Sequence, residues 1–213
     1  NKIKEKTKDV EREFGNIVGI HCHNDIGMAV ANSIVALESG ARHIQGTFIG
    51  IGERCGNTNW STVIPTAILK MNFNMKSKEY LHDLTAKARY ISEISNIQIE
   101  DSTPYIGKSA FAHKGGMHID AICKTPKSYE HINPELVGNE RRFLLSEVSG
   151  KSTVLQEIHK IFPNVKKDGE EVKKVTKRLK ELNTRLANIL NDRGVEASDD
   201  ETTTELVNKV ADI

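Results

Sequence analysis

The sequence lacks most of the features that mark a specialised class of protein. No apolar run approaches the roughly 20 residues that span a bilayer, and the start, Asn1-Lys2-Ile3-Lys4-Glu5-Lys6, has no apolar core of a secretion signal. No membrane partner is expected, and the cytoplasm is the expected compartment. An excess of charge of one sign is missing as well. With 30 Lys and Arg against 29 Asp and Glu, no electrostatic footprint for nucleic acid exists, and no nucleic-acid partner is expected. Cysteines number three, an odd count with no CxxC spacing. Cys22, Cys55 and Cys123 therefore suit reduced thiols better than disulfides or a cysteine-rich zinc site. Internal repeats and low-complexity segments are absent too.

What is present reads as an ordinary globular mixture of apolar and charged residues, enough for one large domain or two small ones. Residues 2–14 are charged and helix-prone, and Gly15-Asn16 stops that helix before the apolar run Ile17-Val18-Gly19-Ile20, which reads as a buried strand. From Ala29 to Ser39, Val30, Ile34 and Leu37 recur at helical spacing, with Gly40 where a helix end tolerates positive φ. A second strand is expected at about 43–48. Strand, helix and strand with short connections make a βαβ unit with parallel strands, so the first third is of the α/β class.

Helical patterns dominate beyond Asn57, apart from a possible extended stretch at 97–99. Tyr80, Leu81, Leu84, Ala88 and Ile91 form one apolar stripe. Val172, Val175, Leu179, Leu182, Leu186 and Ile189 form a longer one between about 170 and 192. Gly194 suits the end of that helix, and a last short helix is expected at about 203–210. Two parallel strands with a few helices do not close a sheet that is normally covered on both faces. The expectation is that further strands come from a segment before Asn1 or from another chain.

The sharpest local feature is His21-Cys22-His23-Asn24-Asp25 at the carboxyl end of the first strand. Alternation sends His21 and His23 to one face and Cys22 to the other, so both imidazoles can converge on one ion. Two hydrogen-bonded histidines at a strand end are the alternative reading. Carboxyl ends of parallel strands are where α/β proteins collect functional groups. After the second strand comes Gly50-Ile51-Gly52-Glu53-Arg54-Cys55-Gly56-Asn57, whose glycines permit tight turns and whose polar residues lie beside the first site. From this segment alone a plain polar loop, with Glu53 and Arg54 as a structural ion pair, is the favoured reading.

Taken together, HCHNDIGMAVANSIVALESGA and GTFIGIGERCGN resemble the last two strand-loop units of the catalytic barrel in the acetyl-CoA-dependent 2-oxoacid aldol synthases. That family comprises the isopropylmalate, homocitrate and citramalate synthases. The resemblance continues through GKSAFAHKGGMHIDA at 107–121 and YEHINPELVGN at 129–139, and covers about residues 15–152. It implies the C-terminal portion of a TIM (β/α)8 barrel at 1–75, a linker subdomain covering the active site at 76–150, and a helical C-terminal subdomain at 151–213.

The resemblance further implies a divalent metal ion (Mg, Mn or Zn) held by His21, His23 and Asn57, with an aspartate from an early strand that this sequence does not contain. The family's catalytic glutamate and substrate-binding arginine also lie in that absent part, so this chain alone is expected to be inactive. The family's proton-transfer histidine falls on His118, and imidazole is the side chain suited to exchanging protons near physiological pH. Its substrate-side tyrosine falls on Tyr129, and His113 is expected to be structural. The co-substrate is acetyl-CoA, the partner substrate a 2-oxoacid, and the assembly a homodimer in which linker subdomains reach over the other subunit's site.

Within the family, AFAHKGGMHIDAI and KSYEHINPELVGNERR look most like the bacterial citramalate synthases, which join acetyl-CoA to pyruvate on the route to isoleucine. Isopropylmalate synthase, of leucine biosynthesis, is the second reading, followed by homocitrate synthase. The match weakens after about Lys151, and no regulatory domain for an amino-acid end product is visible. Two readings from other classes stand beside these. Metal-dependent amide hydrolases also carry His-x-His on a barrel strand, but near the barrel's start. A non-catalytic dimerisation and linker fragment is the other.

Overall fold

The computed structural model describes residues 2–144, 155, 158, 159, 164, 166 and 169–195. They fall into two compact units, residues 1–110 with 134–140, and residues 111–133 with 141–213. The short helix expected at 203–210 lies outside the described residues.

The first unit opens with helix α1 (Lys2–Phe14). Gly15, at φ +66, turns the chain into one 3-10 turn (Gly15–Ile17), and only then does it extend. Strand β1 is therefore Gly19–His21, two residues later than the apolar run suggests, and Ile17 is exposed. Helix α2 (Ala29–Glu38) and strand β2 (His43–Gln45) follow, and β1 and β2 pair in parallel as Gly19↔His43, Ile20↔Ile44 and His21↔Gln45. This is the expected βαβ connection. Gly40 ends α2 at φ +112, where an added Cβ would meet the Glu11 side chain at 2.7 Å, so α1 lies directly against this turn. Helix α3 (Trp60–Leu69) takes Asn59 as its N-cap, whose side chain accepts from the Ser61 N–H at 2.9 Å. Ala36, Val63, Ala67 and Ala88 are fully buried. Such small side chains let the helices of this unit approach closely.

A 3-10 segment (Lys76–Asp83) runs into helix α4 (Leu84–Ser95). Its tighter winding moves Tyr80 off the stripe that the sequence pattern shares among positions 80–91, so Leu81 and Leu84 are buried while Tyr80 is exposed. Asn96, in the left-handed conformation, closes α4, and residues 97–99 form no strand. Their apolar character belongs to the helix exit rather than to a ladder. The segment 134–140 packs back on this region. The Thr85 hydroxyl donates to the Val137 carbonyl at 2.7 Å, and Gly138 sits where a Cβ would lie 2.1 Å from the His82 carbonyl oxygen.

The second unit holds strands β3 (Ala112–His113) and β4 (Arg142–Phe143), paired in parallel, and helix α5 (Gly116–Lys124) between them. Helix α6 (Glu170–Asp192) matches the extent of the long apolar stripe and ends before Gly194 at φ +74. Phe111, Ile119, Ile122, Val172 and Leu190 are among the most buried apolar residues of the second unit. Val175, Leu182 and Ile189, spaced by seven, stay exposed on α6.

Asn139 generates a test of this packing. Its buried amide donates to the Tyr105 carbonyl at 2.8 Å and the Gly107 carbonyl at 3.1 Å, and its oxygen accepts from the Glu140 N–H. Asn139→Ala leaves those backbone groups without their partner, and is expected to cost about 2–3 kcal/mol in urea unfolding at unchanged m-value. A loss below about 0.5 kcal/mol would show that the amide does not organise this knot.

Candidate functional site

The first site is built by joining two segments of chain. At the end of β1 the backbone continues extended, and the Cys22 carbonyl accepts from the Thr58 N–H at 3.1 Å. Two residues on, the Asn24 N–H donates to the Gly56 carbonyl at 2.8 Å, and His23 forms an isolated antiparallel bridge with Asn57. The loop after β2 can reach back because Ile49, Gly50, Arg54 and Gly56 all take positive φ. Gly56 packs so closely that a Cβ would lie 2.0 Å from the Gly50 carbonyl oxygen. Non-glycine residues at such angles are uncommon and cluster at functional sites. The Asn24 side chain accepts from the Ala29 N–H at 3.1 Å, which ties the start of α2 to the same seam.

This seam brings His21, His23 and Asn57 together. The two Nε2 atoms are 3.2 Å apart and both rings face solvent, while Cys22 is buried on the opposite side of the strand. Two imidazoles on one ion, each with a metal–nitrogen bond of about 2.0–2.1 Å, place their nitrogens about 3.0–3.4 Å apart. Asn57 Oδ1 is buried and accepts no hydrogen bond. Asn57 is bridged to His23 across the seam, and a buried amide oxygen without a donor is a group that a cation can satisfy. Among the described residues no three of His, Cys, Asp and Glu cluster in the geometry of a metal site, so an ion at this place would have to draw on the two imidazoles and on neutral oxygens such as that of Asn57. A recess of about 120 Å³ adjoins it, lined by Asn24, Val30, Ile49, Gly50, Cys55, Asn57 and Asn59.

The Arg54 guanidinium grips Asp25 with both arms, Nε to Oδ1 at 2.9 Å and Nη2 to Oδ2 at 3.0 Å. That hydrogen bond, more than the charge itself, holds the Asp25 carboxyl below its ordinary range. The nearer ionic partner expected from the sequence, Glu53, lies at 3.6 Å. The fork spans the two motifs, and spacing along the chain gives no signal for it, since the two residues are 29 positions apart. On the buried side, the Ser33 and Thr58 hydroxyls hydrogen-bond at 2.8 Å beneath the strand. Burial raises the pKa of the Cys22 thiol, against a weaker opposing hydrogen bond with Ser33.

The second group lies in the other unit. His118, on the first turn of α5, stacks on Tyr129 with ring centroids 4.2 Å apart and planes at 28°, and both side chains are exposed. Beneath them Glu130 has a side chain only 2% exposed, bound in a fork by Arg141 and at 3.3 Å by His113 Nε2. Burial alone would raise the Glu130 carboxyl, but the hydrogen bonds and charge of Arg141 outweigh it and hold the pKa low. His113 moves down, because its burial outweighs the attraction of Glu130. Sequence reading treated His113 as structural without finding its partners. The run Asn139-Glu140-Arg141-Arg142, placed directly ahead of β4, was the available signal.

The chain contains two consecutive family segments. Residues 1–105 match the HMGL-like family model, and residues 105–187 match the model described as the homocitrate synthase post-HMGL domain-like. This order of segments makes the chain a member of the HMGL-like family with a homocitrate synthase-type post-HMGL segment, whose homologues include proteins named as citramalate, homocitrate and isopropylmalate synthases. It is similar to the (R)-citramalate synthase of Aquifex aeolicus, with 44% identity over 85% of this chain and 35% of the relative. It is 50% identical to that of Synechocystis over 72% of this chain and 29% of the relative. The homocitrate synthase of Pyrococcus horikoshii is 36% identical over 78% of this chain and 45% of the relative. The chain thus spans about a third of the length of the citramalate synthases it matches. No helix among the described residues is long and apolar enough to cross a membrane.

Two predictions follow from the ionisation of these sites. Because the thiolate is the reactive form, Cys55, which is exposed, is expected to label with a thiol reagent at least about ten times faster than Cys22. Equal rates would contradict the burial of the β1 face. In the second unit, Glu130 and His113 both have folded pKa values below their unfolded ones. Each contributes stability above its unfolded pKa and loses it as pH falls through the folded value. Hydrogen-exchange protection of the Arg142 and Leu144 amides, which bond to Phe111 and His113, is therefore expected to weaken from about pH 6.5 downward and again below about pH 4. Protection that stays constant from pH 7.5 to 3.5, after correction for intrinsic rates, would refute it.

Proposed function

We propose that this chain is part of a citramalate synthase, which joins acetyl-CoA to pyruvate in isoleucine biosynthesis. The observation that carries the reading is the set of relatives named (R)-citramalate synthase at 44–50% identity. The relative named as a probable 2-isopropylmalate synthase stands at 34%. Segments 1–75, 76–150 and 151–213 are taken as barrel strands and helices, linker subdomain and helical subdomain, in a cytoplasmic homodimer.

In this reading His21, His23 and Asn57 hold a divalent ion (Mg, Mn or Zn), which when bound supplies Lewis-acid polarisation of the 2-oxoacid carbonyl. The protein's own groups do the rest. His118 moves the proton, accepting at an imidazole nitrogen the one that leaves the thioester methyl. Tyr129, stacked on that ring, fixes its plane and presents a hydroxyl toward the substrate. The methyl carbon of acetyl-CoA loses a proton and bonds to the keto carbon of pyruvate, whose oxygen becomes the hydroxyl. Water then cleaves the thioester and releases CoA as the thiol. Asp25 and Arg54 keep the loop bearing Asn57 against the histidines.

Free CoA thiol released from acetyl-CoA by the full-length protein tests the reading. Turnover with pyruvate is expected to exceed that with 2-oxoisovalerate at least about tenfold, the scale of discrimination that one to two methyl groups permit. The opposite preference would assign isopropylmalate synthase instead. Chain 1–213 alone is expected to fall short by about three orders of magnitude or more, as when members of a cooperating catalytic unit are removed. Asn57→Ala and His23→Ala in the full-length protein are expected to weaken Mn²⁺ binding, read by calorimetry, at least about tenfold. Unchanged affinity in both would remove these residues from the ion.

A further inference from the structure

Two exposed rings rarely hold one orientation without support from below, and the stack of His118 on Tyr129 has such support. The two rings come from different stems. His118 stands on α5, whose N-terminus is fed directly by β3 through Lys114 and Gly115. Tyr129 stands at the end of the 3-10 turn Pro126–Ser128, with its N–H donating to the Pro126 carbonyl at 3.3 Å. One side chain touches both stems. Glu130 follows Tyr129 directly, and its own N–H donates to the same Pro126 carbonyl at 3.1 Å, so its backbone belongs to that turn. Its carboxylate reaches inward to His113 on β3, at 3.3 Å. Arg141, immediately before β4, closes the arrangement from the neighbouring strand, with Nε 2.6 Å from Oε1.

We propose that Glu130 is a positioning residue that sets the His118–Tyr129 stack by clamping the turn that carries Tyr129 to the strand that launches the helix of His118. Alternation along the chain explains the division of labour. Tyr129 is 51% exposed and Glu130 is 6% exposed, so adjacent residues face opposite ways, one to solvent and one to the clamp. A buried carboxylate without partners is costly, whereas a forked guanidinium and an imidazole satisfy it and fix its direction. Arg141 is suited to this because its planar fork defines an orientation as well as a charge, which a lysine ammonium does not. A purely stabilising pair would need no third partner on the strand leading to α5.

The consequence for catalysis rests on the proton-transfer reading of His118, whereas the consequence for geometry does not, so the test reads the two separately. In the full-length protein with ¹³C-labelled histidine, the His118 ring protons carry an upfield ring-current shift from Tyr129, assigned by its loss in Tyr129→Leu. Glu130→Gln presents an amide where Arg141 needs an acceptor, and is expected to abolish at least half of that shift. The same variant is expected to lower kcat about 10–100-fold with KM for the 2-oxoacid within about twofold, the pattern of an interaction made in the transition state. Glu130→Asp is expected to recover part of both. Arg141→Lys, which keeps the charge and loses the fork, serves as the second variant should Glu130→Gln fail to fold. A full His118 ring-current shift in folded Glu130→Gln or Arg141→Lys would overturn the proposal. Loss of the shift with kcat unaltered would leave the placement by Glu130 standing and overturn the proton-transfer reading of His118 instead.

Discussion

The first unit depends on a seam of main-chain hydrogen bonds. The Thr58 N–H to Cys22 carbonyl and the Asn24 N–H to Gly56 carbonyl join segments more than 30 residues apart. Buried backbone groups must find partners, and here the partners are supplied by a loop bent through several positive-φ residues. Once that seam forms, the other features are determined by it. His21 and His23 face outward and Cys22 inward, the buried Asn57 amide is carried beside the imidazoles, and Asp25 comes within reach of Arg54. The site is a consequence of how two strand ends are finished.

The two forked ion pairs show how burial changes what an Arg–carboxylate contact does. Asp25 and Arg54 have side chains about half exposed, where solvent screening leaves little net stabilisation. Its role is therefore geometric, keeping a strained loop in register. Glu130 has a side chain only 2% exposed while that of Arg141 is 32% exposed, so removal of the arginine leaves the carboxylate in a medium that penalises it. The chain uses the same chemistry in a replaceable form at one site and in a demanding form at the other.

Elements set by local patterns were legible in the sequence. The parallel βαβ unit, α2 with its Gly40 exit and the long α6 ending before Gly194 all follow from periodicity and glycine placement. The convergence of His21 and His23 was equally legible, because a period of two is a local rule. What the pattern missed was non-local or a matter of winding. The start of β1 moved because a 3-10 turn consumed residues counted as strand, and Tyr80 left its stripe for the same reason. The Asp25–Arg54 fork and the His113–Glu130–Arg141 cluster required knowing which distant segments meet. Motif resemblance identified the segments that carry His118 and Tyr129, but no spacing rule places the two rings 4.2 Å apart.

The contact between Gly56 and the Gly50 carbonyl oxygen gives the GERCGN segment a second meaning. With 2.0 Å between that oxygen and any added Cβ, the smallest possible side chain is already too large, whatever reaction the neighbouring residues perform. A pattern that looks like a signature of chemistry is thus partly a rule of assembly. A protein that had lost its catalytic purpose but kept this strand ending would still be obliged to spell much of the motif, and a redesigned site for another substrate would inherit those letters unchanged.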